Sequence, residues 1–230
     1  GCVAFMSIKE NTVSAENQMI NASELSFLGN PNAPLKILIL GNSITRHGPK
    51  ADIGWDGDWG MAASAKEKDY VHVLKSHIQN VKPDAAFCIC QAYKWERDFV
   101  SGKQAYPIYE DARNFNADII VVRFIENCPR QDFNPEVFKR EYIDFINYLN
   151  KSGNAKVILT TSFWEHTADS AVAEVAQEMG WSLVVLNDLG ELDEMKALGL
   201  FEHYGVANHP GDLGMKTIAD RIFEEVKKLI

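Results

Sequence analysis

From about residue 35 onward, short apolar runs alternate with amphipathic segments. The runs at 37–40, 85–90, 119–123, 156–160 and 182–186 predict strands. In the fourth of these Val157, Ile158 and Leu159 are consecutive, the pattern of a strand covered on both faces. Helices are predicted near 62–79, 104–114, 135–150, 168–179 and 214–229. In the last of them Ile218, Ile222, Val226 and Leu229 recur at helical spacing. Five strands alternating with helices predict right-handed crossovers and a five-stranded parallel sheet between two helical layers, a three-layer α/β/α sandwich.

Two stretches fall outside this rhythm. Residues 1–34 are polar, weakly patterned and closed by Asn30-Pro31-Asn32-Ala33-Pro34. They read as an N-terminal extension ahead of a domain at 35–230. Between Arg46 and Met61 lie four glycines and two tryptophans, Trp55 and Trp59, which neither helix nor strand can hold throughout.

The chain has 230 residues, enough for one domain with a full core and a small appendage. No window approaches the ~18–20 apolar residues of a membrane-spanning helix. The net charge of −9 argues against nucleic acid, whose phosphates need a basic face. Of the four cysteines, Cys2, Cys88, Cys90 and Cys128, the central two alternate on one strand, a poor disulfide pair, and read as buried thiols. The first six residues lack the basic start and apolar core of a signal peptide. The expected protein is soluble: secreted or periplasmic if a leader has been removed, cytoplasmic otherwise. The histidines show no metal-ligand spacing, and neither metal nor cofactor is expected.

Chemistry enters at Lys36-Ile-Leu-Ile-Leu-Gly41-Asn42-Ser43-Ile44-Thr45. The carboxyl end of a buried parallel strand is where open α/β sheets bind ligands. A serine there can act as a nucleophile once a base takes its proton, and His209, in Asn208-His209-Pro210-Gly211-Asp212, is the candidate base. Ser43 could instead cap a helix, as Asp212 is expected to cap the last one. A phosphate or nucleotide binder using the Gly41–Thr45 loop is a further alternative, although no P-loop is present.

Gly41-Asn42-Ser43-Ile44-Thr45 resembles the first block of the SGNH hydrolases, also called the GDSL esterase/lipase superfamily. Arg123-Phe124-Ile125-Glu126-Asn127-Cys128-Pro129 resembles the block that supplies an asparagine amide, with Ile125 or Phe124 where the family has glycine. Gly205-Val206-Ala207-Asn208-His209-Pro210 resembles the last block, but Val206 stands where the family carries Asp. The second block lacks its glycine; Ala92, in Cys90-Gln91-Ala92-Tyr93, is the position that could lend a backbone N–H. The resemblance implies a flavodoxin-like SGNH fold and a serine esterase that works through an acyl-enzyme on a small-molecule or carbohydrate ester. Ser43 and His209 would be catalytic, with the Ser43 N–H, the Ala92 N–H and Asn127 forming the oxyanion hole. His47, Trp55, Trp59 and Glu126 are the substrate-contact candidates. Without an Asp at 206, His209 would be oriented by a backbone carbonyl near Val206, or by Glu202 or Glu126. A binding module on the same fold, its hydrolytic site decayed, is the alternative. The oligomeric state is left open.

Overall fold

The computed structural model describes residues 25–230. Cys2 and most of the expected extension lie outside the described residues. The strands are β1 (Leu25–Leu28), β2 (Lys36–Gly41), β3 (Ala86–Gln91), β4 (Ile119–Arg123), β5 (Lys156–Thr160) and β6 (Ser182–Val184). The helices are α1 (Tyr70–Val81), α2 (Tyr93–Arg97), α3 (Glu110–Asn114), α4 (Pro135–Leu149), α5 (Asp169–Met179), α6 (Tyr204–Ala207) and α7 (Asp212–Val226). The sheet order is β1-β3-β2-β4-β5-β6. β2 to β6 are mutually parallel, as the pattern predicts. The sixth strand is the difference: β1, from the end of the expected extension, pairs antiparallel with β3 along the edge. Its four residues are too short and too polar-flanked to stand out in the pattern.

Each central strand feeds two cores because its residues alternate between faces. Leu38 and Leu40 of β2 join the core beneath α4 and α5, whereas Ile37 and Ile39 join the core beneath α1 and α7. β5 does the same with Val157 and Leu159 on one side and Ile158 on the other. β2 connects to β3 through α1 on one face, and β3 connects to β4 through α2 and α3 on the other. The crevice where these connections diverge, at the carboxyl ends of β2 and β4, is the switch point at which such sheets bind ligands.

Two helix boundaries differ from the sequence pattern for local reasons. α1 begins at Tyr70, not near residue 62, because the Asp69 side chain accepts the His72 N–H and caps it there. The segment before α3 is a run of 3₁₀ turns, Phe99–Tyr109, containing Pro107, which lacks the N–H an α-helix needs. Asp212 caps nothing: Gly211 holds the N-cap of α7, and the Asp212 carboxylate accepts the Ser64 N–H at 2.8 Å and the Ser64 hydroxyl at 2.6 Å.

Candidate active site

Ser43 sits at the tip of the turn leaving β2. The Asn42 carbonyl accepts the N–H groups of Thr45 at 2.9 Å and Arg46 at 3.0 Å, which folds the chain back under Ser43. Gly41 is needed for close approach: a Cβ there would lie 1.6 Å from Thr45 Oγ1. His209 follows α6, and Ser43 Oγ lies 2.8 Å from His209 Nε2. At the far side of the imidazole, Nδ1 is 2.6 Å from the Gly205 carbonyl oxygen. A carbonyl only accepts, so this contact assigns the hydrogen to Nδ1 and leaves Nε2 free to take the serine proton. Burial lowers the His209 pKa to about 4, against the pull of the Gly205 hydrogen bond. The ring is therefore neutral, the form a general base requires. Trp164 packs edge-on against it, centroids 5.0 Å apart, and its indole N–H donates to the Asn208 carbonyl. Val206 is buried in a small apolar cluster with Trp55 and Met61, and among the described residues the partner of His209 Nδ1 is the Gly205 carbonyl.

Asn127 is held from below by a carboxylate. Its Nδ2 donates to Glu96 Oε1 at 2.9 Å, and its backbone N–H donates to Glu96 Oε2 at 3.2 Å. The Ile125 N–H and Asn42 Nδ2 also donate to Oε2, at 2.8 and 3.0 Å. Glu96 is fully buried. Burial, then the charge of Glu126, push its pKa up to about 7, against the hydrogen bonds from Asn127 and Asn42. Ile125 has φ = 143°, a conformation glycine enters freely and a β-branched residue rarely does, at the place where the resemblance has glycine. Asn42 also donates to Glu126 Oε1 at 2.8 Å. Burial alone would raise Glu126, but the adjacent Arg123 guanidinium prevails and holds it below the usual carboxylate range.

Several expected contacts fall elsewhere. The Ala92 N–H donates to the Gly41 carbonyl at 2.6 Å, continuing the β2–β3 ladder, so it is not available to an oxyanion. Trp55 is buried against Trp59 and Phe201, and its indole N–H is taken by the His47 carbonyl. Trp59 Nε1 donates to the Ala63 carbonyl. Both tryptophans thus build the loop instead of lining the site. Glu126 does not line the cleft and is bonded to Arg123, Asn42 and the Phe163 N–H. Trp95 is likewise core, stacked on Phe145 at 5.2 Å, and this contact anchors α2. Ser43, Asn127, His47 and His209 do come together, around a cleft of about 520 Å³. Glu202 is exposed outside it. Tyr93 lines the same cleft, as do Gln91, Arg97 and His203, and these last three were not singled out by sequence. Glu96 was missed as well. Its signal was a charged residue directly after a core tryptophan in a short helix, which is weak without coordinates.

No family model and no curated protein matches the chain. Solved structures do. The psychrotrophic esterase EstA of a Pseudoalteromonas species is 13% identical, with 84% of this chain and 97% of that one covered at a TM-score of 0.57. A GDSL-like lipase of Parabacteroides merdae is 14% identical, covering 85% and 96% at 0.57. A two-domain esterase active on acetylated mannans is 16% identical; 85% of this chain matches 50% of that one at 0.53. Among the described residues no helix is long and apolar enough to cross a membrane. Over more than four-fifths of its length the chain has the fold of the GDSL-type esterases and lipases, the SGNH hydrolases.

Proposed function

We propose that the protein is a serine esterase that cleaves a small acyl group, such as acetyl, from a carbohydrate through an acyl-enzyme. The observation that carries this reading is the 2.8 Å contact between Ser43 Oγ and a neutral His209 whose other nitrogen is tied to the Gly205 carbonyl. Ser43 Oγ attacks the ester carbon while its proton passes to His209 Nε2. The tetrahedral oxyanion takes hydrogen bonds from the Ser43 N–H and from the second N–H of Asn127 Nδ2, the first being fixed on Glu96. As the intermediate collapses, the bond to the alcohol oxygen breaks and His209 returns the proton to it. Water, activated by the same imidazole, then attacks the acyl-serine and releases the acid.

Glu96 acts in this scheme as a positioning residue. Ionised, it accepts four N–H donors and fixes which way the Asn127 amide faces. Protonated at Oε1, it would oppose the Asn127 N–H with an O–H, and the amide would turn. The carbohydrate part of the reading draws on fold neighbours, among them the two-domain esterase already described and a family two carbohydrate esterase from Cellvibrio japonicus. Tyr93 lines the cleft and would set an aromatic ring beside a bound sugar.

The decisive test is hydrolysis of p-nitrophenyl acetate by wild type and Ser43→Ala, together with labelling by a fluorophosphonate. Turnover and labelling that both vanish in the variant support the mechanism. Activity retained in Ser43→Ala overturns the nucleophile. The occupied Ala92 N–H and Val206 favour the decayed binding module as the second reading. That reading expects an unlabelled serine and tight binding of an unmodified sugar.

A further inference from the structure

The cleft carries a charge pattern opposite to that of the chain. The protein has a net charge of −9, yet no Asp or Glu is among the described residues that line the cleft. Arg46, Arg97, His47 and His203 line it instead. These four groups are not equivalent. Arg46 is already neutralised, its Nε and Nη2 each 3.0 Å from the Asp58 carboxylate. His47 Nδ1 is turned to the Gly48 carbonyl at 2.7 Å. His203 Nδ1 accepts the Val206 N–H at 3.3 Å, which assigns its hydrogen to Nε2 and makes that atom a donor. Arg97 is exposed, and its guanidinium makes no hydrogen bond or ion pair with any described residue.

Arg97 owes its place to the helix before it. Three successive residues of α2 take three directions. Trp95 enters the aromatic core, Glu96 lies beneath the oxyanion side of the site, and Arg97 reaches the cleft. Two buried neighbours thus fix the root of a guanidinium whose head pairs with none of the described residues. Glu96 and Glu126 lie under the floor and are committed to Asn127, Asn42, Arg123 and main-chain N–H groups. A planar fork of donors matches a carboxylate on two oxygens at once, and such charge-assisted pairs are the stronger class of hydrogen bond.

We infer that the substrate carries a carboxylate, as in an acylated uronic acid, and that Arg97 is the residue that selects it. This rests on the esterase reading and names the substrate class of that site. The carboxylate binds at the Arg97 end of the cleft, while the acyl carbon lies against Ser43.

The test compares two monoacetylated methyl glycosides, of galacturonic acid and of galactose. They share the ring and the acetyl position and differ at C6, carboxylate against hydroxymethyl. Wild type is expected to cleave the uronate with a kcat/KM about ten- to a hundredfold higher, chiefly through KM, and rising salt should shrink that ratio. Arg97→Gln should bring the uronate down to the level of the galactoside and leave the galactoside within about twofold. Equal rates on both sugars in wild type, or an equal loss on both in Arg97→Gln, would overturn the inference while leaving the esterase intact. Binding of methyl galacturonoside and methyl galactoside to Ser43→Ala, by calorimetry, separates the other failure. Preferential, Arg97-dependent binding of the uronate without hydrolysis of either ester by wild type would sustain the carboxylate site and sink the esterase reading. Binding of neither sugar, or of both equally, would count against the carboxylate site.

Discussion

The two sides of the cleft are held by different chemistry. On the histidine side, a neutral backbone carbonyl fixes the imidazole, and position 206, where the resemblance implies a carboxylate, is a buried valine. On the asparagine side, a fully buried carboxylate fixes the amide, with an Arg123–Glu126 pair behind it. The carboxyl that orients a neighbour is thus beneath Asn127 and not behind His209. A carbonyl fixes a tautomer at little cost, because nothing charged is buried. The imidazolium that the proposed mechanism forms, however, would gain less from it than from a carboxylate. A buried carboxylate fixes an amide against its own desolvation, and its grip becomes dependent on pH.

Predictions that break this comparison run from the nucleophile outward. Ser43→Ala should lower kcat on an activated ester by about 10⁴-fold or more, read in initial rates. Asn127→Ala removes one oxyanion donor and should cost about 10²–10³-fold in kcat with KM little changed. Glu96→Gln places an amide N–H2 against Asn127 Nδ2, so the Asn127 amide should turn its oxygen toward it and lose its donor, with a loss of up to about 10²-fold.

The pH profile sharpens the contrast. The His209 pKa of about 4 means that the base is lost only as pH falls through that value. Glu96, near 7, must be ionised to hold Asn127, so wild-type kcat/KM should fall already as pH drops through about 7. In Glu96→Gln the upper limb should vanish and the lower one near 4 remain. A profile of kcat/KM with no limb near 7 in wild type would remove Glu96 from the positioning role. Stability should move the other way. A carboxyl whose folded pKa is raised from 4.5 to about 7 stabilises the fold in its neutral form, an effect fully present below pH 4.5 and lost as pH rises through 7. The loss amounts to about 3 kcal/mol, and denaturant unfolding should show wild type falling relative to Glu96→Gln over that window. The smallest effect belongs to Glu202→Gln. Because Gly205 holds the imidazole and Glu202 is exposed, kcat should stay within about twofold.

The strands at 119–123 and 156–160 coincide with β4 and β5, because the centre of a strand buried on both faces is an unbroken apolar run, here 119–122 and 157–159. β1 was illegible, since an edge strand of four residues has one partner and little apolar content. Ser43 and His209 could be paired from motif order and from the sheet rule for ligand sites. The misplacement of Trp55, Trp59 and Glu126 has one cause. An aromatic or charged residue near a motif reads the same whether its side chain enters the cleft or the core, and that direction is a property of packing.

By itself the sequence determined the alternation of strands and helices, hence the parallel sheet, the position of Ser43 at a strand's carboxyl end and the presence of a histidine before the last helix. These follow from local period and chain order, which the residues carry individually. Only the tertiary structure decided that Gly205 orients His209, that the Ala92 N–H is spent on the sheet, and that Glu96 lies under Asn127 while Arg97 faces the cleft. Each of these depends on groups far apart in the chain competing for one donor or acceptor, and that competition is settled only when the folded backbone brings them within about 3 Å.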